Sequence, residues 1–485
     1  MKNKSIFTRQ NQTLIELFRD AQHPEKVLCV PLDYAKQTHV ALCCNGSGTV
    51  LKKAFPVKNN PDGMAFLLDA VGKICRKHHI SRRHVFFGGE DCGTFSLNFI
   101  YGLRKQGFIV MGVNAKDAKE QRENMQASSD ELDLLGIAKL LLNRRGSMAG
   151  GEPGAERALR TLTRHRKAQV RLKTVTSNRI HQIVDQLFPG FLDERSSGIP
   201  PFSEASLYVM QDRFSPVQVA SRQDKALLRQ LKACGLQHAE TAMGKLKAYA
   251  RQVLAHPPEL IGLLQTSLAS EINLYRCLGA NIDQIGRESA QQLAKTPGAM
   301  LTTIRGIGIT LAAGVAAEIG PPVSQPSTRR LGSYAGIVPR TKQTGGPEKG
   351  AKTGKVSRRC NHILKDYIVQ CGNHLGQHGP ADLKEDHRRR SANGQHADFG
   401  MARRYLRMGM RLMRNGESYV PPGLREGATL EELRTYYLQS WPKLLDKWVK
   451  AGAVHTAFDK ENPLGQWRER IEAIYGIELP LPIKK

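Results

Sequence analysis

Four carboxylates stand where apolar runs begin or end. Asp33 closes one run, Glu90 follows another, and Asp130 and Asp133 open a helical stretch three positions apart. Residues i and i+3 of a helix share a face, so the last two can point at one place. Four converging carboxylates repel one another unless divalent cations neutralise them, and an all-oxygen donor set suits magnesium or manganese. Two such ions about 4 Å apart can clamp the attacking and leaving oxygens of a phosphodiester. Singly, each has a plainer explanation: Asp33 as a turn residue, Asp130 as a helix N-cap. Their order along the chain is what joins them.

Three further constellations carry positive charge. Arg305-Gly306-Ile307-Gly308 lies between helical stretches 298–304 and 309–319. A glycine turn opening a helix bares N–H groups that can hold a phosphate. The Gly-Ile-Gly before an Ala-rich helix resembles the helix-hairpin-helix DNA-binding element, although an ordinary helix–helix turn also needs Gly. Next, 340–365 carries Arg340, Lys342, Lys349, Lys352, Lys355, Arg358, Arg359 and Lys365 against one acid, Glu348. Inside it stands Thr344-Gly345-Gly346, a hydroxyl among cations, as phosphoryl transfer requires; Ser357 is a second hydroxyl in the same stretch. A solvated loop that only grips phosphates is the alternative. Last, Arg403, Arg404, Arg407, Arg411 and Arg414 line one flank of a helix, suited to a phosphate backbone, with Met401, Met408, Met410 and Met413 as core positions. His78, His79, His165, His256 and His387 have no metal-ligand spacing.

The elements that must position these groups follow from the apolar pattern. Runs 27–32, 39–44, 50–55, 84–87 and 108–113 predict strands, and 61–78, 95–105 and a stretch from Asp130 predict helices. The order βββαβαβα is that of an α/β ribonuclease-H-like (RuvC-like) N-terminal domain, residues 1–148. Residues 149–295 read as a helical coiled-coil linker. It contains a basic helix with Arg157, Arg160, Arg164, Arg166, Lys167, Arg171, Lys173 and Arg179, suited to a structured RNA, and two long helices at 224–254 and 258–293 that can dimerise. Residues 296–420 predict a mostly α domain, and 421–485 a small appended helical tail holding all three tryptophans, Trp441, Trp448 and Trp467.

Bulk composition narrows the partner. The 485 residues carry 72 Lys+Arg against 44 Asp+Glu, a net charge of +28, which points to a polyanion, most simply nucleic acid. A solubility device is the bland alternative. A 40% hydrophobic fraction excludes wholesale disorder. No apolar run approaches the roughly 20 residues a membrane span needs. Nine cysteines without a Cys-x-x-Cys pair argue against a disulfide scaffold or zinc ribbon and fit the reducing cytoplasm.

Together these segments resemble the DEDD transposases. Asp33 in PLDYAKQTHVAL, Glu90 in FFGGEDCGTF and Asp130 with Asp133 in SSDELDLLGIAKLL match that family's acids, and IRGIGITLAAGVAAEIG, LGSYAGIVPRTKQTGG and CNHILKDYI match its C-terminal transposase domain. The family comprises bridge-RNA-guided recombinases of bacterial insertion sequences and the pilin-gene inverting recombinase. The likeness spans roughly Val27 to Tyr419 and leaves out the tail. It implies a RuvC-like nuclease fold, a dimerising linker, a nucleophile from the C-terminal domain and magnesium. It also implies a homotetramer on donor and target DNA, and a structured non-coding guide RNA. Two positions depart: Leu134 stands where the family has Ala, and Thr344-Gly345 where it has Ser-Gly. The resulting expectation is a site-specific DNA recombinase that cuts through a covalent hydroxyl–phosphate link, with Thr344 attacking and Ser357 as the fallback. The alternatives are a RuvC-like metal-dependent junction nuclease without a covalent step, and a non-catalytic nucleic-acid-binding protein.

Overall fold

The apolar runs of the first half become a sheet with both faces covered. The computed structural model describes residues 10–90, 95–122, 129–150, 154–211, 213–322, 327–342, 352–356, 360–394 and 396–483, without the side chains of 340–342, 352, 353 and 355. The chain divides into two compact units, Met1–Pro153 and Gly154–Lys485.

In the first unit, helix α1 (Gln12–Asp20) precedes three antiparallel strands, β1 (Leu28–Asp33), β2 (Thr38–Asn45) and β3 (Val50–Lys58). Then come α2 (Pro61–His78), β4 (Val85–Glu90), α3 (Leu97–Lys105), β5 (Ile109–Val113), α4 (Ala115–Glu120), α5 (Asp130–Leu142) and the two-residue β6 (Ser147–Met148). The sheet order is β3-β2-β1-β4-β5-β6, with β1, β4 and β5 parallel. Side chains alternate across a strand, so Phe87 packs with α2 and α3 while Phe86 packs with α1 and α5. Gly88 makes the second packing possible. A Cβ there would stand 2.7 Å from Leu141 Cδ2 of α5.

The second unit is mostly helical. Its spine pairs α6 (Ala155–Leu187) with a far later helix. Around the distal end of α6 fold α7 (Glu194–Ser197), α8 (Glu204–Gln211), α9 (Pro216–Ser221), α10 (Asp224–Ala233) and α11 (Ala239–Ala250). Helix α12 (Pro258–Ala294) then runs back along α6. The expected single helix 224–254 is therefore two helices, broken where Gly235 adopts φ +74°, and the partner of 258–293 is α6.

A second core holds a 3-10 turn (Pro297–Thr303), α13 (Ile309–Ile319) and α14 (Thr328–Tyr334). The basic stretch contains a hairpin, β7 (Pro339–Lys342) with β8 (Lys352–Val356). Helices α15 (His362–His378), α16 (Ala381–Ala392) and α17 (Ala397–Asn415) follow, then α18 (Pro422–Arg425), α19 (Leu430–Lys450), α20 (Val454–Ala457) and α21 (Pro463–Tyr475). The tail is no appendage. Trp441, Trp448 and Trp467 are buried in the same apolar cluster as α13, α15 and α17. Among the described residues, no helix is long and apolar enough to cross a membrane.

Candidate active site and nucleic-acid contacts

Strand register brings the first two acids together. Leu32 of β1 pairs with Gly89 of β4, so the residues that follow, Asp33 and Glu90, end adjacent parallel strands. Gly89 permits this closeness: a Cβ there would lie 2.3 Å from the Leu32 carbonyl oxygen. Ser129 caps α5 by accepting from the Leu132 N–H at 3.3 Å. Ser129, rather than Asp130, is thus the N-cap, and it leaves Asp130 and Asp133 in the first turn, where the helix dipole favours negative charge.

The electrostatics show that the acids share one field. Burial pushes the Asp33 carboxyl up, and the charges of Asp133 and Asp130 push it further. Burial likewise raises Glu90, helped by Asp33 and Asp133. Opposing both is Arg122, which pairs with Asp133 and had no signal in the sequence pattern. A raised carboxylate beside other carboxylates is a site short of positive charge, and its hard oxygen donors suit a divalent cation. As they stand, no three Asp, Glu, His or Cys among the described residues are grouped to hold a metal ion. Arg122 occupies part of that role.

The Arg305 turn has an open helix end. Gly306 adopts φ +87° and lies against the end of α15, where a Cβ would be 3.1 Å from the Gly379 nitrogen. Gly308 caps α13 with no side chain, and a Cβ there would meet nothing within 4 Å, so a phosphate has room to approach the first N–H groups. The tail fixes the turn from below. Lys447 Nζ of α19 donates to the carbonyls of Thr302 at 2.6 Å, Ile304 at 3.1 Å and Ile307 at 2.8 Å. The Trp448 indole N–H donates to Thr302 Oγ1 at 3.1 Å. Burial brings the Lys447 ammonium down to about 8.

The other cations divide into engaged and available groups. On α6, Arg160 and Arg164 reach Glu318 of α13, Lys167 pairs with Asp366, Arg179 with Glu271, and Lys173 lies over the Tyr275 ring. On α17, Arg404 holds Asp382 and Asp386 at 3.0 and 2.9 Å, Arg403 donates to the Ile337 carbonyl, and Arg411 stands 3.9 Å from Glu417. Arg407 is exposed and makes no ion pair among the described residues. Burial, with Arg390 and Arg407 nearby, holds the Arg403 guanidinium below its usual range. Arg404, Arg407, Arg411 and Arg425 line a cleft of about 250 Å³ that has no acid in its wall. Thr344, Ser357, Arg358 and Arg359 lie outside the described residues. Arg340, Lys342, Lys352 and Lys355 sit on the β7–β8 hairpin by their backbone alone.

One network was not legible in sequence. Glu318, with a fully buried side chain, receives Arg164 Nε at 2.7 Å, Arg160 Nη2 at 3.1 Å and Asn361 Nδ2 at 2.7 Å. Asn361 caps α15 and also donates to the Tyr334 hydroxyl at 3.0 Å. Burial pushes the Glu318 carboxyl up, but hydrogen bonds from Arg164, Asn361 and Arg160 outweigh it and bring it down to about 2.

Comparison with known proteins places two segments. A family model of transposases of the DEDD, IS110 type matches residues 30–189, and one described as the transposase IS116/IS110/IS902 family matches 298–388. A transposase for insertion sequence element IS1328 from Yersinia enterocolitica is 37% identical over 116 residues, which is 24% of this chain and 33% of that relative. The match thus spans about a third of that relative's length, and residues after 388 fall outside both models.

Proposed function

We propose that this chain, which belongs to the IS110/IS116/IS902 family of transposases, is a DNA recombinase of an insertion sequence that cuts and rejoins strands at a metal-dependent site in a ribonuclease-H-like domain. The observation that carries the reading is the acidic group. Asp33 and Glu90 end neighbouring parallel strands and are both raised by burial and by carboxylates of α5. The sheet order, three antiparallel strands extended by two parallel ones, supports the ribonuclease-H-like assignment.

In this reading Asp33, Glu90, Asp130 and Asp133 hold magnesium or manganese once Arg122 gives up Asp133. The bound cation supplies Lewis-acid neutralisation of the phosphodiester in the transition state. The turn at Arg305, Gly306 and Gly308 and the α17 arginines hold phosphates of donor and target DNA. The hydroxyl of Thr344, or of Ser357, attacks phosphorus. The Oγ–phosphorus bond forms as the bond to the departing strand oxygen breaks, the hydroxyl proton leaves to a base, and the departing oxygen gains one. A structured guide RNA, a linker over 149–295 that dimerises, and a tetramer on DNA complete the proposal.

The test is an excision assay with a denaturing gel for protein-linked DNA. Wild type yields a denaturation-resistant adduct that Asp33→Asn lacks, and peptide mapping assigns the phosphate to Thr344. Metal-dependent cleavage without an adduct favours the junction-nuclease reading. Full excision by Asp33→Asn refutes the acidic site.

A further inference from the structure

The tail builds one wall of a cavity that touches the proposed phosphate turn at Arg305 and Gly306 but whose aromatic lining the proposed reaction does not use. In the second unit a space of about 460 Å³ opens between the turn at Thr302, Thr303, Arg305 and Gly306 and the helices of the tail. That size is within the roughly 300–1,000 Å³ of ordinary ligand sites. Its walls are aromatic: Tyr419, Tyr436, Tyr437 and Trp467. Its cations are Lys447, engaged with three carbonyls as above, and Arg305 and Lys443, both exposed. Neither Arg305 nor Lys443 makes an ion pair among the described residues. Not one lining residue is Asp or Glu.

Each feature removes a class of ligand. Three cations and no carboxylate give the wall a positive field, so amines and basic peptides are disfavoured. A purely apolar ligand makes no use of Arg305 and Lys443, and a bare phosphate makes no use of the cavity's aromatic side, where Tyr419, Tyr437 and Trp467 come to the wall from the apolar core. A flat ring joined to an anion answers both. Gln439 adds an amide that both donates and accepts, as the hydrogen-bonding edge of a base requires. The buried Trp467 indole N–H has no acceptor among the described residues, a deficit that an acceptor on a ligand can relieve. Tyr419 also lines the neighbouring four-arginine cleft, so a strand with one nucleotide in the cavity has a cationic path for the next phosphate.

We infer that this cavity receives a single unpaired nucleotide of a bound nucleic-acid strand, its base against the tyrosines and Trp467 and its phosphate at Arg305 and Lys443. Stacking on aromatic rings takes any base, so the site selects for an unpaired state rather than for a sequence. The inference rests on the reading of this chain as a nucleic-acid enzyme. It gives the tail, which lies outside both family matches, a role in holding an exposed base.

The experiment uses the full chain and three probes of equal length: single-stranded DNA with one bromodeoxyuridine, single-stranded RNA with one bromouridine, and the DNA probe annealed into a blunt duplex. Irradiation followed by peptide mapping should place the cross-link on Tyr419, Tyr436, Tyr437 or Trp467 for a single strand, and the DNA and RNA arms tell which strand supplies the nucleotide. Lys443→Glu, an exposed change, should cut that cross-link about tenfold with an unaltered melting temperature. Tyr436→Leu should weaken single-strand binding roughly five- to a hundredfold, the range for one lost stacking partner, while Tyr436→Phe retains it. Single-strand binding with cross-links only elsewhere overturns the cavity but not the recombinase reading. Equal cross-linking from the duplex overturns the unpaired state. Failure to bind any probe overturns both.

Discussion

Replacing Glu318 by Gln removes one negative charge from a fully buried cluster and keeps its shape. Two guanidinium groups, Arg160 and Arg164, then face an amide, and the donor from Asn361 loses a charged acceptor. The carboxyl sits at about 2 against an ordinary 4.5, and each unit is worth about 1.4 kcal/mol, so the charged form contributes about 3 kcal/mol near neutrality. Breaking a buried ion pair by removing one partner costs about 3–5 kcal/mol, which agrees. With an unfolding entropy of about 2.1 cal/mol/K per residue over the 154–485 unit, that loss lowers its melting temperature by about 4–7 °C.

The sign against pH follows from the depressed value. The contribution is complete above the unfolded carboxylate range near 4.5 and is lost as pH falls through about 2. Urea unfolding of wild type and Glu318→Gln, measured from pH 7 to pH 2.5, should show a gap that is widest at neutrality and closes below pH 4.5. Equal stability at pH 7, or a gap that does not change with pH, refutes the argument that the charge is what Arg160, Arg164 and Asn361 hold.

Asp33→Asn and Glu90→Gln should lower strand cleavage roughly a hundredfold or more while DNA binding persists, because phosphate contacts elsewhere supply affinity. Both carboxyls are raised, so their contribution to stability is present below the ordinary carboxylate range and is lost as pH rises through the raised values. At pH 7 without divalent metal each variant should therefore melt above wild type, and melting at or below wild type contradicts the repulsion. Lys447→Met leaves the carbonyls of Thr302, Ile304 and Ile307 without their donor and should cost about 3 kcal/mol, with faster amide exchange confined at first to 302–308. Exchange unchanged there means that the tail does not hold the turn. Thr344→Ser should retain the covalent adduct and Thr344→Val should lose it, read on a denaturing gel; an adduct from Thr344→Val transfers the role to another hydroxyl.

The sheet was legible because its central strands β1, β4 and β5 are apolar on both faces. Short apolar runs such as 84–87 and 108–113 match buried strands, and a carboxylate that ends such a run marks itself. Arg122 was not legible, since its partner Asp133 is chosen by the fold of the chain between them. The break between α10 and α11 was hidden for a different reason. The residues on either side are mostly good helix formers, and the chain breaks through left-handed backbone at Gly235 and His238. The β7–β8 hairpin has no apolar alternation for a pattern to detect, because its residues are Lys, Arg, Thr and Gly with few exceptions.

The basic residues teach a sharper lesson about reading charge from composition. Arg160 and Arg164 are spaced to share a face of α6, and in sequence that face looks like a nucleic-acid surface. In the folded unit it faces α13, and a single glutamate 154 positions beyond Arg164 takes both side chains. A helix carrying many cations can therefore be a structural interface along one stripe and a nucleic-acid surface along another. On α6 the cations outside the Glu318, Asp366 and Glu271 pairings and the Tyr275 contact are Arg157, Arg166 and Arg171, and in the proposed reading these are the candidates for an RNA phosphate. The same sorting on α17 leaves Arg407, among the described residues, as its unpaired arginine at the four-arginine cleft, beside Arg404, which Asp382 and Asp386 hold in place. A cation held by acids is stiff, and a free one next to it can follow the ligand. In the proposed reading, that pairing of a fixed and an exposed arginine, rather than the count of positive charges, suits the cleft to a nucleic-acid phosphate.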